Sequence, residues 1–189
     1  PRPIGWISTV DGKGRVNLAP YSFYNGVGEH PPMVYFAVTG TYGDTPTKHS
    51  RMNAEETGEF VVNMVAGTLS EKMNITTAMV AYGVDEMKLA GLTPAPCRLV
   101  KPPRVAESPA ALECKYWKTV ELPVEPGHEA QRSAVVFGQV VGVHIDDGIL
   151  KDGRVDILAF KPVARLGYSE YTTTDNVWRM RRPDDPRYQ

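Results

Sequence analysis

Lys48-His49-Ser50-Arg51-Met52-Asn53 opens a short helical pattern with residue types suited to an anion. The first turn of a helix carries unpaired amides and a partial positive charge. Ser50 adds a hydroxyl, and Lys48 and Arg51 add full charges, so a terminal phosphate monoester is the natural ligand. A solvated helix cap flanked by surface cations would use the same residues. The second informative stretch is Asn17-Leu18-Ala19-Pro20-Tyr21-Ser22-Phe23-Tyr24-Asn25, which reads as the end of a strand running into a turn. Its small and polar groups alternate with aromatic rings. Ser22, Asn25 and the amides of Asn17 to Ala19 could serve the edge of a planar heterocycle, or simply form an Asx or Ser turn.

Other chemistry is sparse. His30, His49, His128 and His144 have no metal-ligand spacing, so no metal site is expected. No serine sits in a G-x-S-x-G elbow and no cysteine–histidine motif stands out. Glu55-Glu56 and Asp146-Asp147 read as solvated surface or turn residues, and G-x-G-x-x-G and P-loop strings are lacking. A sequence without acid–base machinery suits a protein whose cofactor carries the reaction while the chain supplies position and electrostatics.

These residues need a frame. At 189 residues, 42% of them hydrophobic, the chain can bury a sizeable single-domain core. The formal net charge of −1 gives no bias toward nucleic acid or an anionic membrane. Cys97 and Cys114 read as two thiols in a reducing cytosol, which points to a cytoplasmic protein. No apolar run approaches the ~20 residues that span a bilayer, and no secretory signal is visible. The chain opens at Pro1 and enters a strand within a few residues, so part of the native N-terminus is expected to be absent.

Ile4 to Val10 and Val16 to Ala19 predict a hairpin around Asp11-Gly12-Lys13-Gly14. Met33 to Thr39 predicts a central strand, apolar on both faces and started by Pro31-Pro32. Ser50 is expected to cap a helix over Ser50 to Thr57 that Gly58 closes. Phe60 to Val65 returns as a strand. Thr68-Leu69-Ser70-Glu71 has the capping-box pattern for a helix reaching about Val80, and Asp85 to Leu89 suits a further helical turn. Thr93 to Pro109 is proline-dense and extended. Ala111 to Val120 and Ala134 to Ile145 are long strands, with Gly138 and Gly142 expected to bend the second. Val155 to Phe160 reads as strand, continuing through Lys161 to Arg165. The expectation is a mainly β fold, an antiparallel split β-barrel of Greek-key type with short inserted helices.

The order of motifs resembles the flavin reductase-like family of FMN-binding split barrels. Arg2-Pro3-Ile4, Ser8-Thr9, Gly14 and Asn17 to Asn25 match its opening signature, with Tyr24 where Phe is usual. Aligned back from Thr57-Gly58-Glu59-Phe60, the next block falls on Lys48, His49, Ser50 and Asn53. Asp44-Thr45 stands too far from Thr57, which leaves Thr41 to Thr47 as a lengthened loop. Met73 to Thr76, Gly83 to Glu86, Leu89 to Thr93, Ser108-Pro109 with Leu112 to Cys114, and Ala164 to Gly167 with Tyr171 follow in order. Tyr168 replaces a common second glycine, a change that could alter access to the flavin face.

The resemblance implies FMN, or FAD, in a homodimer with each flavin near the subunit interface. It places Asn17, Ala19, Ser22 and Asn25 by the ring and ribityl chain. Phe36, Val38 and Thr39 would line the site, Lys48 and Ser50 would hold the phosphate, and Asn74 and Arg165 would be pocket neighbours. No residue of the chain is assigned as catalytic. The implied activity is NAD(P)H:flavin reductase-like hydride transfer onto flavin N5 and on to an acceptor. A flavoredoxin-like electron carrier without direct NAD(P)H use is the alternative. A non-enzymatic barrel binding nucleic acid or haem is a third. The implied domain runs over 1–171, with a polar tail at 172–189 packed on the domain or on a partner copy.

Overall fold

The computed structural model describes residues 1–43, 45–180 and 183–184. In chain order the elements are β1 (Arg2–Pro3), β2 (Gly5–Val10), β3 (Val16–Tyr21), β4 (Tyr24–Glu29), β5 (Pro32–Thr39), α1 (His49–Thr57), β6 (Glu59–Asn63), α2 (Ser70–Ile75), α3 (Glu86–Leu89), β7 (Pro94–Ala95), β8 (Arg104–Val105), β9 (Ala110–Glu121), β10 (Ser133–Ile145), β11 (Leu150–Lys151), β12 (Arg154–Val155), α4 (Ile157–Phe160), β13 (Val163–Arg165) and β14 (Tyr171–Thr173).

Seven strands form one antiparallel sheet in the order β3-β2-β6-β9-β10-β5-β4. Its two outermost strands, β3 and β4, are consecutive in the chain and joined only by Ser22-Phe23. The sheet therefore has to curl until its ends meet at that corner, where the Ala37 amide donates to the Phe23 carbonyl at 2.8 Å. After the β4–β5 hairpin the chain crosses to β6, between β2 and β9, and comes back to pair with β5 only at β10, which gives the Greek-key connectivity. A small sheet, β1-β13-β14, lies beside the barrel. The protein is a split barrel with short inserted helices.

Two cores share strand β2. Its side chains alternate between faces, yet all six residues are buried. Ile7 joins Phe36, Phe60, Val62 and Val136 inside the barrel. Trp6 joins Leu18, Met73, Met87 and Val105 in a second core between the barrel wall and helices α2 and α3. The Trp6 indole donates to the Thr76 hydroxyl at 2.9 Å, which pins the end of α2 to the wall.

Several expectations hold. The first hairpin turns on Gly14 at φ +78°, and the Asp11 carboxylate accepts from the Lys13 and Arg15 amides at 2.9 Å each. Gly58 closes α1 at φ +74°, and Asp85 caps α3 through the Met87 and Lys88 amides. Register shifts at Phe137/Gly138 and Val140/Gly142 mark the two bends of β10.

Others are corrected. Lys48, not Ser50, is the N-cap of α1, and it makes no side-chain cap bond. Helix α2 ends at Ile75, well short of Val80, because the Thr76 and Thr77 hydroxyls bond back to the Met73 and Asn74 carbonyls at 2.7 Å. The expected capping box at Thr68 is absent: a 3₁₀ turn over Gly67–Leu69 leads into α2, whose N-cap Leu69 makes no side-chain bond. Residues 157–160 form a helical turn instead of a strand, since Asp156 captures the Leu158 amide at 3.0 Å. β5 is hydrogen-bonded on both sides but buries only alternate residues, so it is a barrel strand and not a two-faced central one. β14 spans 171–173, so a domain boundary at Tyr171 would cut it.

Gly138 tests the bend. A Cβ there would lie 2.4 Å from two ring carbons of Phe60, which is fully buried and cannot yield. Gly138→Ala is expected to lower stability by about 1–3 kcal/mol in urea unfolding. Gly142→Ala, whose Cβ meets the exposed Leu99 at 3.2 Å and the buried Glu113 at 3.3 Å, both well outside the 2.4 Å of the Phe60 clash, should cost less. Equal losses at the two positions would show that the Phe60 contact does not decide the bend.

Candidate functional site

The outer edge of β3 has no strand beside it, and other elements cover it. The start of α1, the loop before it, the residues after α2 and the first residue of α3 meet there around a cleft of ≈ 110 Å³. Asn17, Ala19, Pro20 and Tyr21 form the strand side, facing Lys48 to Ser50, Tyr42, Thr76, Thr77 and Glu86. Edge strands carry unpaired amides that must be satisfied or blunted. Here Glu86 accepts from the Leu18 amide at 2.9 Å, and Pro20, two residues on and so facing the same way, has no amide to satisfy.

The anion end is built by α1. The buried Asn17 amide donates to the Ser50 hydroxyl oxygen at 2.9 Å, which fixes that hydroxyl against the strand. The N-cap residue of this nine-residue helix, Lys48, makes no side-chain cap bond. Lys48 brings its ammonium to 4.1 Å from the Tyr42 ring centroid, a cation–π contact, and partial burial lowers its pKa. Desolvation raises the pKa of the buried Tyr21 phenol, against an opposing hydrogen bond with Ser50. Tyr21 thus stays a neutral hydroxyl.

Tyr42 organises the far side. Its hydroxyl donates to the Ala78 carbonyl at 2.8 Å and accepts from the Val80 amide at 3.1 Å. Its ring stands edge-on to His49, which packs on its other side against Tyr82. Tyr82 in turn donates to Asn53 at 2.9 Å and lies under the Arg15 guanidinium. The lengthened loop over 41–47 therefore supplies the residue that ties the helix start to the segment after α2. Asp44 lies outside the described residues.

Glu86 is the unexpected member. It is 3% exposed, and its carboxyl pKa is pushed up to about 7. Burial is the main cause and the neighbouring Asp85 charge adds to it, while the amides of Leu18 and of Glu86 itself oppose. Among the described residues it has no ion-pair partner; Lys88 pairs with Asp85 instead.

Of the residues expected at a site, Asn17, Ala19, Lys48 and Ser50 meet in this cleft. Asn74 is exposed on α2, but its carbonyl receives the hydroxyl of the cleft residue Thr77. Phe36 and Val38 are buried in the barrel core, with the Phe36 ring 5.0 Å from that of Tyr21, so they back the cleft from behind. Thr39 bonds Ser133 at 2.9 Å at the far end of β5. Asn25 is exposed on β4 and bonds the Gly26 amide.

Ser22 and Arg165 belong to a second cluster, at the barrel corner. The Ser22 hydroxyl accepts from Arg2 at 3.3 Å, and Arg2 also lies over the Phe23 ring. Arg2 pairs in register with Arg165, whose guanidinium bonds the Tyr168 carbonyl and the Tyr171 hydroxyl. Tyr168 itself is 95% exposed, at φ +50°. Tyr42, Thr76, Thr77 and Glu86 were not assigned from sequence. Glu86 stands in a motif quoted above, but nothing local distinguishes it from a solvated helix-start acid.

The fold and this cleft define an antiparallel split-barrel protein with a polar cleft on the unpaired edge of its first hairpin. The chain matches the flavin reductase like domain family over residues 1–165 and belongs to that family. An uncharacterized protein of Aquifex aeolicus is 39% identical over 172 residues, 90% of this chain and 83% of that one. Nitrilotriacetate monooxygenase component B from Bacillus cereus superposes with a TM-score of 0.86 at 28% identity, over 95% of this chain and 87% of that chain. The Pseudomonas fluorescens 2-nitrobenzoate 2-nitroreductase NbaA superposes at 0.81 with 29% identity, over 97% and 86%.

Glu86 links stability to pH. Its folded-state pKa of about 7 lies above the ordinary 4.5. The neutral carboxyl's advantage is therefore complete below about 4.5 and is lost as pH rises through about 7. Glu86→Gln keeps an acceptor for Leu18 and does not ionise. Its stability relative to the parent should rise with pH, by a limit on the order of 2–3 kcal/mol between about pH 5 and pH 9. Thermal melts across that range check this, and a pH-independent difference would show that Glu86 does not titrate there.

Proposed function

We propose that the protein binds FMN with its phosphate in the Lys48–Ser50 cleft and acts as a flavin-dependent oxidoreductase. The observation that carries this reading is that Lys48 and Ser50, at a helix start, line one cleft with Asn17 and Ala19 of the edge strand. The donor set suits a phosphate monoester: amides, a hydroxyl held by Asn17, and an ammonium held by Tyr42. The volume of ≈ 110 Å³ suits the charged end of the ligand and is well below the 300–1,000 Å³ of a pocket enclosing a whole ligand. The ring system would lie along the open run from Pro20 to the Ser22-Phe23 corner.

Bound there, FMN would supply hydride acceptance from NAD(P)H and electron delivery to an acceptor. Membership of a family with a monooxygenase component B and a nitroreductase among its structural relatives supports a redox role. The chain's own part is to hold the phosphate, orient the ring along β3 and keep Tyr21 neutral behind it. The open corner, with Phe23 and Tyr168 exposed, would be covered by a second copy in a homodimer. The same openness suits a protein electron donor, which favours a flavoredoxin-like carrier as the second reading. Two free thiols, Cys97 and Cys114, fit a cytoplasmic setting. No helix among the described residues is long and apolar enough to cross a membrane.

Titration with FMN should quench flavin fluorescence. Lys48→Met, which keeps the stem and removes the charge, should weaken FMN by about 10- to 100-fold, as losing a charge-assisted bond implies. Riboflavin affinity should be unchanged. No FMN binding, or equal losses for both flavins, would remove the phosphate assignment. Anaerobic addition of NADH or NADPH should bleach the bound flavin; bleaching only by a reduced protein donor would decide for the carrier reading.

A further inference from the structure

Glu86 has no part in the reading above, yet it occupies the same cleft as Lys48 and Ser50. We propose that Glu86 sets a proton-dependent affinity for the flavin phosphate: as the neutral acid it shares the cleft with a phosphate monoester and donates to it, and as the carboxylate it opposes the bound dianion. This inference rests on the flavin reading and adds to it a determinant on α3, an element the phosphate-binding motif does not include.

The geometry leaves Glu86 few alternatives. One carboxylate oxygen is occupied by the Leu18 amide at 2.9 Å, so the side chain cannot swing away without exposing a donor on the edge strand. Solvent reaches only 3% of the residue, so water screens its charge poorly. The groups that face it are Tyr21 on β3, Tyr42 on the preceding loop, Lys48 and His49 at the start of α1, and Asp85 beside it. Two of these are phenols and one is an acid. The Lys48 ammonium rests on the Tyr42 ring and makes no ion pair with Glu86. A dianionic phosphate and an ionised Glu86 would therefore compete for Lys48 and the helix start. A protonated Glu86 removes that competition and brings a donor of its own. The balance is one proton: it stays on Glu86 in the complex and must be taken up from solvent above the carboxyl's titration range.

A phosphate monoester gains its second charge near pH ~6, which strengthens its hold on Lys48 as pH rises. Glu86 acts in the opposite sense at higher pH, so FMN affinity should pass through a maximum between the two. The rest of the cleft is common to the parent and a Glu86 variant, so the difference between their profiles reports on Glu86.

FMN, riboflavin and inorganic phosphate are titrated into the parent protein and Glu86→Gln from about pH 5.5 to about pH 8.5, with circular dichroism confirming the fold. The parent should lose FMN and phosphate affinity on the alkaline side while Glu86→Gln keeps it, so that their affinity ratio changes about tenfold across the range. Riboflavin should show no such difference. Coincident FMN profiles for the two proteins overturn this inference alone. An equal pH effect on riboflavin also overturns it, since the proton would then act on the ring. Binding of neither FMN nor phosphate by either protein at any pH overturns the flavin reading and this inference with it. Should Glu86→Gln fail to fold, the parent decides: its FMN-to-riboflavin affinity ratio must fall above about pH 7, and a flat or rising ratio overturns the proposal.

Discussion

The unpaired edge of β3 is the constraint on which the rest of the structure turns. Closing the sheet requires its first and last strands to be neighbours in the chain, joined at Ser22-Phe23. That closure leaves the outer edges of β3 and β4 without a ladder partner, and the cleft forms on that of β3. An unpaired edge must be hydrogen-bonded, blunted or covered. This protein uses Glu86 on the Leu18 amide, proline at position 20, and the start of α1 bound through Asn17 and Ser50. The groups that satisfy the edge are the groups that line the cleft, so the architecture and the cleft come from the same solution.

Among the described residues the cleft brings phenols, an imidazole and a buried carboxyl together with the Lys48 ammonium and one helix start. Burial keeps Tyr21 protonated and moves the Glu86 carboxyl into the physiological range. The same desolvation weakens the hold of Lys48 on its proton, and the Tyr42 ring stabilises its charge in return. Fixed dipoles and an ammonium on an aromatic face suit an incoming anion better than a preformed ion pair, which would first have to be broken. The second basic cluster, Arg2 and Arg165 at the corner, is already engaged with Ser22, Phe23, Tyr168 and Tyr171. It braces the corner along which the ring would lie.

Local signals proved readable where a single residue decides the backbone. Gly14 and Gly58 take positive φ, Asp85 caps its helix, and the two glycines of β10 coincide with its register shifts. They failed where two local options compete. Thr76 and Thr77 ended α2 by returning their hydroxyls to its carbonyls, although the pattern around them continues. Asp156 turned an apolar run into a helical turn. Ser50 has the chemistry of a cap, but Asn17 claims its hydroxyl from across the sheet, and a residue 33 positions away has no local signature.

What the chain determined by itself is the alternation of strand and turn and the family to which its motifs belong, because those depend on residue type and short spacing; it also singled out Lys48, Ser50, Asn17 and Ala19, which the fold brings into one cleft. Only the tertiary structure decided that Glu86 and Tyr42 share their cleft, while Phe36 and Val38 stand behind it in the core and Ser22 and Arg165 at the corner. The reason is geometric: barrel closure sets which faces turn inward and which distant segments land on the open edge, and burial then alters the chemistry of a carboxyl whose sequence neighbours carry no trace of it.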